Sequence, residues 1–442
     1  MKYLLEQSNE MLTTHSGLCL VGVLMSKTKL NQRLNQVVLP GVSAPLITNG
    51  DVAKSYVGLL CQGKNDFDHI EQFRKDKFFG QSLMIKTVPS SPTLRQRMDI
   101  AGGDDKHQWN PIILEESTRL LNMTQAQLTP CIRNYIPLDI DVSPFDNSRT
   151  KKEGVSRTYK GCDGYAPIFA YLGQEGYVVN TELRIGKDHC QNGTPDFLAQ
   201  SILYARRITS MPLLVRMDSG NDSLDNIKIL HKEETKADYI IKRNLRRESL
   251  QGWLITAQKL GMCCLEREGK KVYMGEIRIK RSGFEPKLRI VFKVIERTIK
   301  ANGQALLFPE IEVDTFWTSL PDEPSKIIRL YEDHGTSEQF HSEIKSDMDM
   351  ERLPSGKFET NQIILHLGVF AYNILRVIGQ EGNKTTDAPL RKKAQRRRIR
   401  TVIQNLITLA SRVVCHGRQW KLNFGSFSPW FNTFKRIYYA FT

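Results

Sequence analysis

The chain has 442 residues, with 63 Lys and Arg against 48 Asp and Glu, a formal net charge of +15. At 40% hydrophobic it can bury a core, which excludes a disordered chain, and its length allows two or three domains. The basic excess suits a polyanionic partner, nucleic acid first. The opening "MKYLLEQSNE" places Glu6 and Glu10 where a secretory signal needs an apolar run. "LCLVGVLM" near residue 20 and "GVFAYNIL" near 370 are too short to span a bilayer, so a soluble, intracellular chain with no membrane partner is expected. The eight cysteines are scattered without a Cys-x-x-Cys pair and read as reduced thiols. The sequence contains no Walker-type phosphate loop, HExxH or GxSxG.

In chain order, residues 1–130 read as short helices with loops. "DVAKSYVGLLCQG" has helical spacing and ends at Gly63, and "PSSPTLRQRMDI" starts a helix with Ser91 as cap and Pro92 at the first position. The basic faces around Arg95 and Arg97 could read DNA or pack against the next domain. From residue 135 the texture changes. "YIPLDIDVSPF", "GYAPIFAYLG" and "GYVVNTELRIG" read as strands. "TPDFLAQSILYARRIT" reads as a helix capped by Thr194, and "MPLLVRMDSG" as a fourth strand. Three strands, a helix and a further strand is the order of a ribonuclease H-like sheet, although many α/β folds start similarly.

Residues 236–322 contain alternating, charge-rich strands and read as a β-rich insertion. Helical spacing returns at "PSKIIRLYEDHGTSEQFHSEIKSDM" and "QIILHLGVFAYNILRVIG". A charged loop follows, and "RTVIQNLITLASRVVCHG" is expected to be a last amphipathic helix ending at Gly417. The run Arg391 to Arg400 has seven basic residues in ten, read as contact with DNA backbone through Arg396, Arg397 and Arg398, or as a solvated helix start. Trp253 and Trp317 fall in or near the insertion, where core packing is the ordinary role.

Three carboxylates stand out. Asp141 lies in the first strand, Asp218 ends the fourth, and Glu338 lies on the helix after the insertion. Asp139, two residues from Asp141 and on the same strand face, is the alternative for the first position. An acid in an apolar strand must be paired, exposed or bound to a cation. Converging carboxylates suit Mg²⁺, or Mn²⁺, and two such ions can activate water and stabilise the leaving oxygen of a phosphodiester. On the helix, Tyr331, Glu338 and Lys345 are seven residues apart and so share one face, where a core helix would carry aliphatic residues.

That helix, with Tyr331, His334, Glu338 and Lys345, resembles the YREK signature of bacterial DDE transposases, His334 standing where the signature has Arg. "LDIDVSPFDNS", "YKGCDGYAPI", "RMDSGNDSLDN", "ADYIIKRNLRRE" and "ERLPSGKFETNQ", among other stretches in order along the chain, resemble the insertion sequence 1380 family within the insertion sequence 4-like superfamily. The resemblance implies a ribonuclease H-like core interrupted by a β-rich insertion, an α/β fold with an N-terminal helical DNA-binding region and a C-terminal helical region. The corresponding boundaries are 1–130, 131–235, 236–322, 323–380 and 381–442. It implies metal-dependent cleavage and strand transfer on double-stranded DNA, at terminal inverted repeats and at a target. Asp141, Asp218 and Glu338 would hold two Mg²⁺ or Mn²⁺ ions, and Tyr331, His334 and Lys345 would meet phosphates. A neutral imidazole cannot replace a bidentate guanidinium, which leaves the phosphate contact at His334 open. In related enzymes that form hairpin ends, an aromatic residue of the insertion can stack an extruded base. A dimer in the synaptic complex and a bacterial, cytoplasmic location are further expectations. Two alternatives differ in chemistry: a ribonuclease H-like nuclease without strand transfer, and a transposase-derived DNA-binding protein without catalysis.

Overall fold

The alternation of "IPLDIDV" sends Leu138 and Ile140 to one side of a strand and Asp139 and Asp141 to the other, and the fold is arranged around that strand. In this computed structural model, which describes every residue except Asp105, Ala301, Arg391, Lys392, Lys393 and Arg418, and the side chain of Pro286, a nine-stranded mixed sheet forms the centre. Its strands are β1 (Ile136–Val142), β2 (Ile168–Leu172), β3 (Tyr177–Glu182), β4 (Leu213–Met217), β5 (Asp238–Lys242), β6 (Met262–Arg267), β7 (Lys270–Arg281), β8 (Phe284–Ile299) and β9 (Ala305–Thr318). The spatial order is β6-β7-β8-β9-β5-β4-β1-β2-β3. β2 is antiparallel to both β1 and β3, whereas β4 runs parallel to β1 and β5 parallel to β4.

The strands between residues 262 and 318 extend this same sheet, because β9 pairs with β5 at Phe316 and Lys242. "ADYIIKRNL", expected among the insertion strands, supplies β5, which pairs parallel with β4 on one side and antiparallel with β9 on the other. A helix at Leu250–Leu260 packs on β7, β8 and β9. There Trp253 meets Phe292 at 5.8 Å.

Helices α1 (Asn49–Leu60), α2 (Ser91–Gly102) and α3 (Trp109–Met123) pack against α4 (Phe358–Asn383). Arg97, expected on a DNA-reading face, is buried and donates to Asn49 Oδ1 at 2.7 Å and to the Ile47 carbonyl at 3.1 Å. The cap of α2 is Ser90, one residue before the expected Ser91, whose own hydroxyl bonds Asp68. Gly193, in the left-handed region, likewise precedes the helix Thr194–Arg206, freeing Thr194 Oγ1 to bond the Cys190 carbonyl at 2.6 Å.

α4 corrects the estimate of apolar length. It spans 26 residues, and an 18-residue window reaches mean hydropathy 1.4, long and apolar enough to cross a bilayer; 94% of that window is buried inside the protein. It is the central core helix. Asn373 on α4 accepts the Val178 N–H at 3.0 Å and donates to the Val178 carbonyl at 2.7 Å, which satisfies backbone groups of the sheet-edge strand β3.

The expected last helix up to Gly417 is also corrected. Helical turns end at Ile407, and Ser411–His416 pairs with Gln419–Phe424 as an antiparallel hairpin, with Met11–Thr13 added at its side. "SRVVCH" carries two adjacent β-branched residues, and Gly417 at φ 57° serves the hairpin turn rather than a helix end.

A buried ion pair ties α4 to the helix that carries Glu338. Arg376 bonds Glu343 and the Tyr372 hydroxyl, and both charged side chains are 1% exposed. Replacing Arg376 with Leu strands Glu343 without a cation and is expected to cost about 3–5 kcal/mol, read as a lowered urea midpoint. Adding Glu343→Leu should recover much of that loss; a double variant as unstable as the single one would contradict the pairing.

Candidate active site

The register of β1 and β4 builds the site. Asp139 pairs with Arg216 and Ile140 with Met217, so Asp141 and Asp218 come next in line at the carboxyl ends of two adjacent parallel strands. Alternation puts Asp139, Asp141, Arg216 and Asp218 on one face. Residues 324–347 cover that face as one helical run: α-helix at Pro324–Glu332, a 3₁₀ turn at Asp333–Thr336, α-helix at Ser337–Ser342 and a π turn at Glu343–Asp347.

A cleft of about 750 Å³ lies between strands and helix. Asp141, Asp218 and Glu338 all line it, and so do Tyr331 and Lys345. The seven-residue face therefore looks into this cleft despite the 3₁₀ and π irregularities.

Asp139 has a different environment. It is 1% exposed and takes two hydrogen bonds from Arg216, Nε to Oδ1 at 2.6 Å and Nη2 to Oδ2 at 2.7 Å. Burial works against its charge, but Arg216 and then His334 hold its carboxyl below the ordinary value. Arg216 also donates to the Leu330 carbonyl at 2.7 Å, joining strand β4 to the helix. Both Asp139 oxygens are thus engaged beneath the helix, whereas Asp141 reaches the cleft.

His334 stands over Asp139 and is buried, its Nδ1 3.1 Å from Oδ1. The approach is a charge contact whose angle is not that of a directed hydrogen bond. Burial would lower the His334 pKa, but the Asp139 charge, with Asp141 beyond it, raises it above the ordinary value. His334 lines the cleft, but its Nδ1 is turned to a strand carboxylate, because Asp139 needs cationic neighbours in the interior.

His341, seven residues on, repeats the arrangement over Asp141, with Nε2 3.1 Å from Oδ2. The Asp141 carboxyl lies below the ordinary range; burial opposes this and the His341 hydrogen bond favours the ion, while burial lowers the pKa of the His341 ring itself, so that His341 acts on Asp141 as a neutral donor. Asp218 goes the other way. Burial raises its pKa, the neighbouring Asp141 charge adds to the rise, and Asn221 Nδ2 donates to its Oδ1 at 2.7 Å. Two carboxylates that repel across a cleft are a donor set suited to a hard divalent cation. Glu338, exposed on the helix wall, offers a third oxygen donor on the same cleft. Among the described residues no three ligating side chains already stand as a metal-binding group.

Tyr331 packs on Phe316 at 4.8 Å and on His334 at 5.6 Å. Burial first, then Asp218 and Asp141, raise its phenol pKa. Lys345 Nζ donates to the Pro144 carbonyl at 2.5 Å, and burial lowers its pKa. An ammonium has three N–H groups, so further donors remain.

Several cleft residues were not singled out from the sequence. Tyr159 and Lys160 are exposed at its mouth, with Tyr159 Oη bonded to the Val142 carbonyl at 3.1 Å. Ser337, Lys242 and Asp314 complete the wall, the last two paired at 2.8 Å. The available signal was a second seven-residue spacing, His334 to His341, beside the first.

The basic run is distributed differently from expectation. Arg397 is buried, bonded to Asn383 Oδ1 at 2.5 Å and the Gly382 carbonyl at 3.2 Å, with its guanidinium 5.4 Å from the Trp430 ring. Arg397 is therefore corrected from DNA contact to a clamp on the end of α4. Arg396 lies 4.2 Å over Phe340 and bonds Gln339. Arg398 remains exposed but pairs with Asp347 at 2.8 Å and Ser342 at 3.0 Å. Arg391, Lys392 and Lys393 lie outside the described residues. Trp253 and Trp317 are buried, donating from Nε1 to Glu248 and Asp222, each at 2.8 Å, with Arg243 near both rings. Packing and the paired indoles give both Trp side chains the ordinary core role.

Comparison with known proteins gives a match of residues 3–441 to the family described as "Transposase DDE domain group 1". A solved structure of the piggyBac transposase synaptic complex with hairpin DNA is similar at 12% identity and TM-score 0.44, covering 90% of this chain and 82% of that one. No curated protein matches.

The Asp139 cluster has a pH signature. His334, with its raised folded pKa, contributes stability in full below the ordinary histidine value of about 6.5 and loses it as pH rises through the folded value. Asp139, with its lowered pKa, contributes above the ordinary Asp value and loses it as pH falls through the folded one. Relative to wild type, His334→Gln should be less stable by about 1–2 kcal/mol near pH of about 5.5, and the gap should close in alkaline solution. Melting curves across pH decide this, and a pH-independent gap would leave only a packing role. Arg216→Leu should cost about 3–5 kcal/mol, because Asp139 keeps its burial and loses its main partner.

Proposed function

The chain belongs to the transposase DDE domain group 1 family, and on that premise we propose that it moves a bacterial insertion sequence of the 1380 type by cutting at terminal inverted repeats and transferring the freed strand. The observation that carries the reading is the convergence of Asp141, Asp218 and Glu338 on one cleft. We read the strand order β3-β2-β1-β4-β5 as a ribonuclease H-like core, and the remaining four strands as the insertion that separates the second Asp from the Glu.

In this reading Asp141, Asp218 and Glu338 hold divalent cations, Mg²⁺ or Mn²⁺. Bound there, two such ions would offset the carboxylate repulsion, activate water and stabilise the leaving 3′ oxygen. Asp141 presents a carboxylate kept ionised with help from the His341 hydrogen bond, and Asp218 one whose pKa is raised first by burial and then by the Asp141 charge. Lys345, Tyr331 and exposed Lys160 hold backbone phosphates of the cut strand at the cleft. The freed 3′-hydroxyl attacks a second phosphodiester in the same cleft, so strand transfer needs no covalent enzyme intermediate. Joining two element ends calls for two such clefts, which favours a dimer on DNA.

Asp141→Asn, Asp218→Asn and Glu338→Gln should each lower cleavage of inverted-repeat DNA by about a thousandfold or more, equivalent to about 4 kcal/mol of transition-state stabilisation. Gel-shift binding to the same DNA should persist. Cleavage at the wild-type rate by Glu338→Gln would remove the helix from the reaction centre. Lys345→Ala should cost about tenfold to a hundredfold in strand transfer, the value of one charge-assisted phosphate contact. If the protein cuts inverted-repeat DNA but never joins it to a target, it is a nuclease on this fold.

A further inference from the structure

Asp141 is held by donors that the reading above leaves without a role. Its Oδ1 accepts the Val142 N–H at 2.8 Å. Its Oδ2 accepts from His341 Nε2 at 3.1 Å and Ser337 Oγ at 3.3 Å. The other imidazole nitrogen, Nδ1, lies 2.9 Å from the hydroxyl of Tyr171. Tyr171 is fully buried on β2, one strand away from Asp141, whereas His341 comes from the covering helix.

The donor and acceptor roles follow from chemistry. An ionised carboxylate only accepts, so His341 Nε2 must carry a hydrogen. In the neutral ring Nδ1 is then the acceptor, and the Tyr171 hydroxyl donates to it. The ring is also wedged sterically, 5.2 Å from the Tyr171 centroid at 73° and 5.5 Å from that of Phe169.

We propose that Tyr171 and His341 form a positioning relay that sets the orientation of the Asp141 carboxylate for divalent-cation binding. The relay rests on the assignment of Asp141 as a metal ligand. Asp141 fixes the Nε2–H tautomer, the Tyr171 hydroxyl donates to the remaining Nδ1 and holds the ring in place, and the Nε2 hydrogen pins Oδ2. The Val142 N–H takes one acceptor position of Oδ1, which leaves the other for an ion. Among the described residues Asp218 has Asn221 alone as a side-chain donor, so the two ligands are unequally prepared, and the more firmly held one is on β1.

The test titrates the full-length protein with Mn²⁺ alone, followed by electron paramagnetic resonance of the free ion. His341→Leu should weaken Mn²⁺ binding about tenfold to a hundredfold, the usual effect of removing a group that orients a metal ligand. His341→Gln, which keeps an N–H near the Nε2 position, should restore most of it. Tyr171→Phe removes only a hydroxyl and should give a smaller loss. Nitrogen-15 spectra of labelled imidazole should show His341 as the Nε2–H tautomer in the wild type, with its Nδ1 resonance shifted in Tyr171→Phe as the hydrogen bond from the hydroxyl is lost. Wild-type Mn²⁺ affinity in a folded His341→Leu protein, or an Nδ1–H tautomer in the wild type, would overturn the relay. Should His341→Leu not fold, Tyr171→Phe decides: unchanged affinity and an unchanged Nδ1 resonance reject the proposal. Asp141→Asn separates the two levels. If it alone loses Mn²⁺, the relay fails and the metal assignment stands; if it binds Mn²⁺ like the wild type, the metal assignment fails, and the relay with it.

Discussion

Two histidines seven residues apart on a helix meet two aspartates two residues apart on a strand, and the cleft depends on that match. His334 faces Asp139, and His341 faces Asp141. Each carboxylate is largely withdrawn from water, so each needs compensation that a purely apolar helix face could not supply. Arg216 doubles the compensation at Asp139 and reaches the helix backbone at Leu330. The inner pair thus anchors the helix to the sheet. The outer pair, one strand repeat further along, leaves its carboxylate at the cleft. The same residue types serve adhesion at one end of the contact and chemistry at the other.

The helix needs irregular backbone to serve both faces. Its 3₁₀ turn at Asp333–Thr336 and π turn at Glu343–Asp347 lie on either side of the stretch carrying Glu338 and His341. Such turns are poorer in hydrogen-bond geometry than α-helix and persist where tertiary contacts hold them. Those contacts are present: Arg376 on Glu343, and Arg398 and Arg400 on Asp347. Much of the basic run after α4 is accordingly used inside the protein. Arg396, Arg397 and Arg398 lock the helix and the end of α4 in place, so their charges face partners already on the chain.

The strands beyond β5 follow a similar economy. Arg243 is buried near two indoles, each of which donates to a carboxylate. This cluster fastens the base of the long β7–β9 strands to the end of the parallel pair β4 and β5. Because β9 continues the sheet hydrogen bonding from β5, the extension is coupled to the strand edge next to Asp218 rather than tethered by loops.

The sequence by itself determined the elements whose signal is local. The period-two pattern of "IPLDIDV" and "PLLVRM" specified strands ending in Asp, and the seven-residue spacing of Tyr331, Glu338 and Lys345 specified a polar helix face. It also carried a family resemblance in motif order, and the match over residues 3–441 places the chain among DDE-domain transposases. Only the tertiary structure decided what each charge is for. Asp139 and Asp141 are equivalent in strand periodicity; Arg216, 75 or more positions away, separates them, because register is a non-local property of two strands. His334 is polar and on the signature face, yet packing turns it inward. Arg397 looks like its neighbours in a basic run, yet Trp430 and the end of α4 bury it. "SRVVCH" satisfies both helical and strand patterns, and the partner strand Gln419–Phe424 settles it. Periodicity states which side chains share a face, but the element that covers the face determines whether a charge is paired, buried or left open to a substrate.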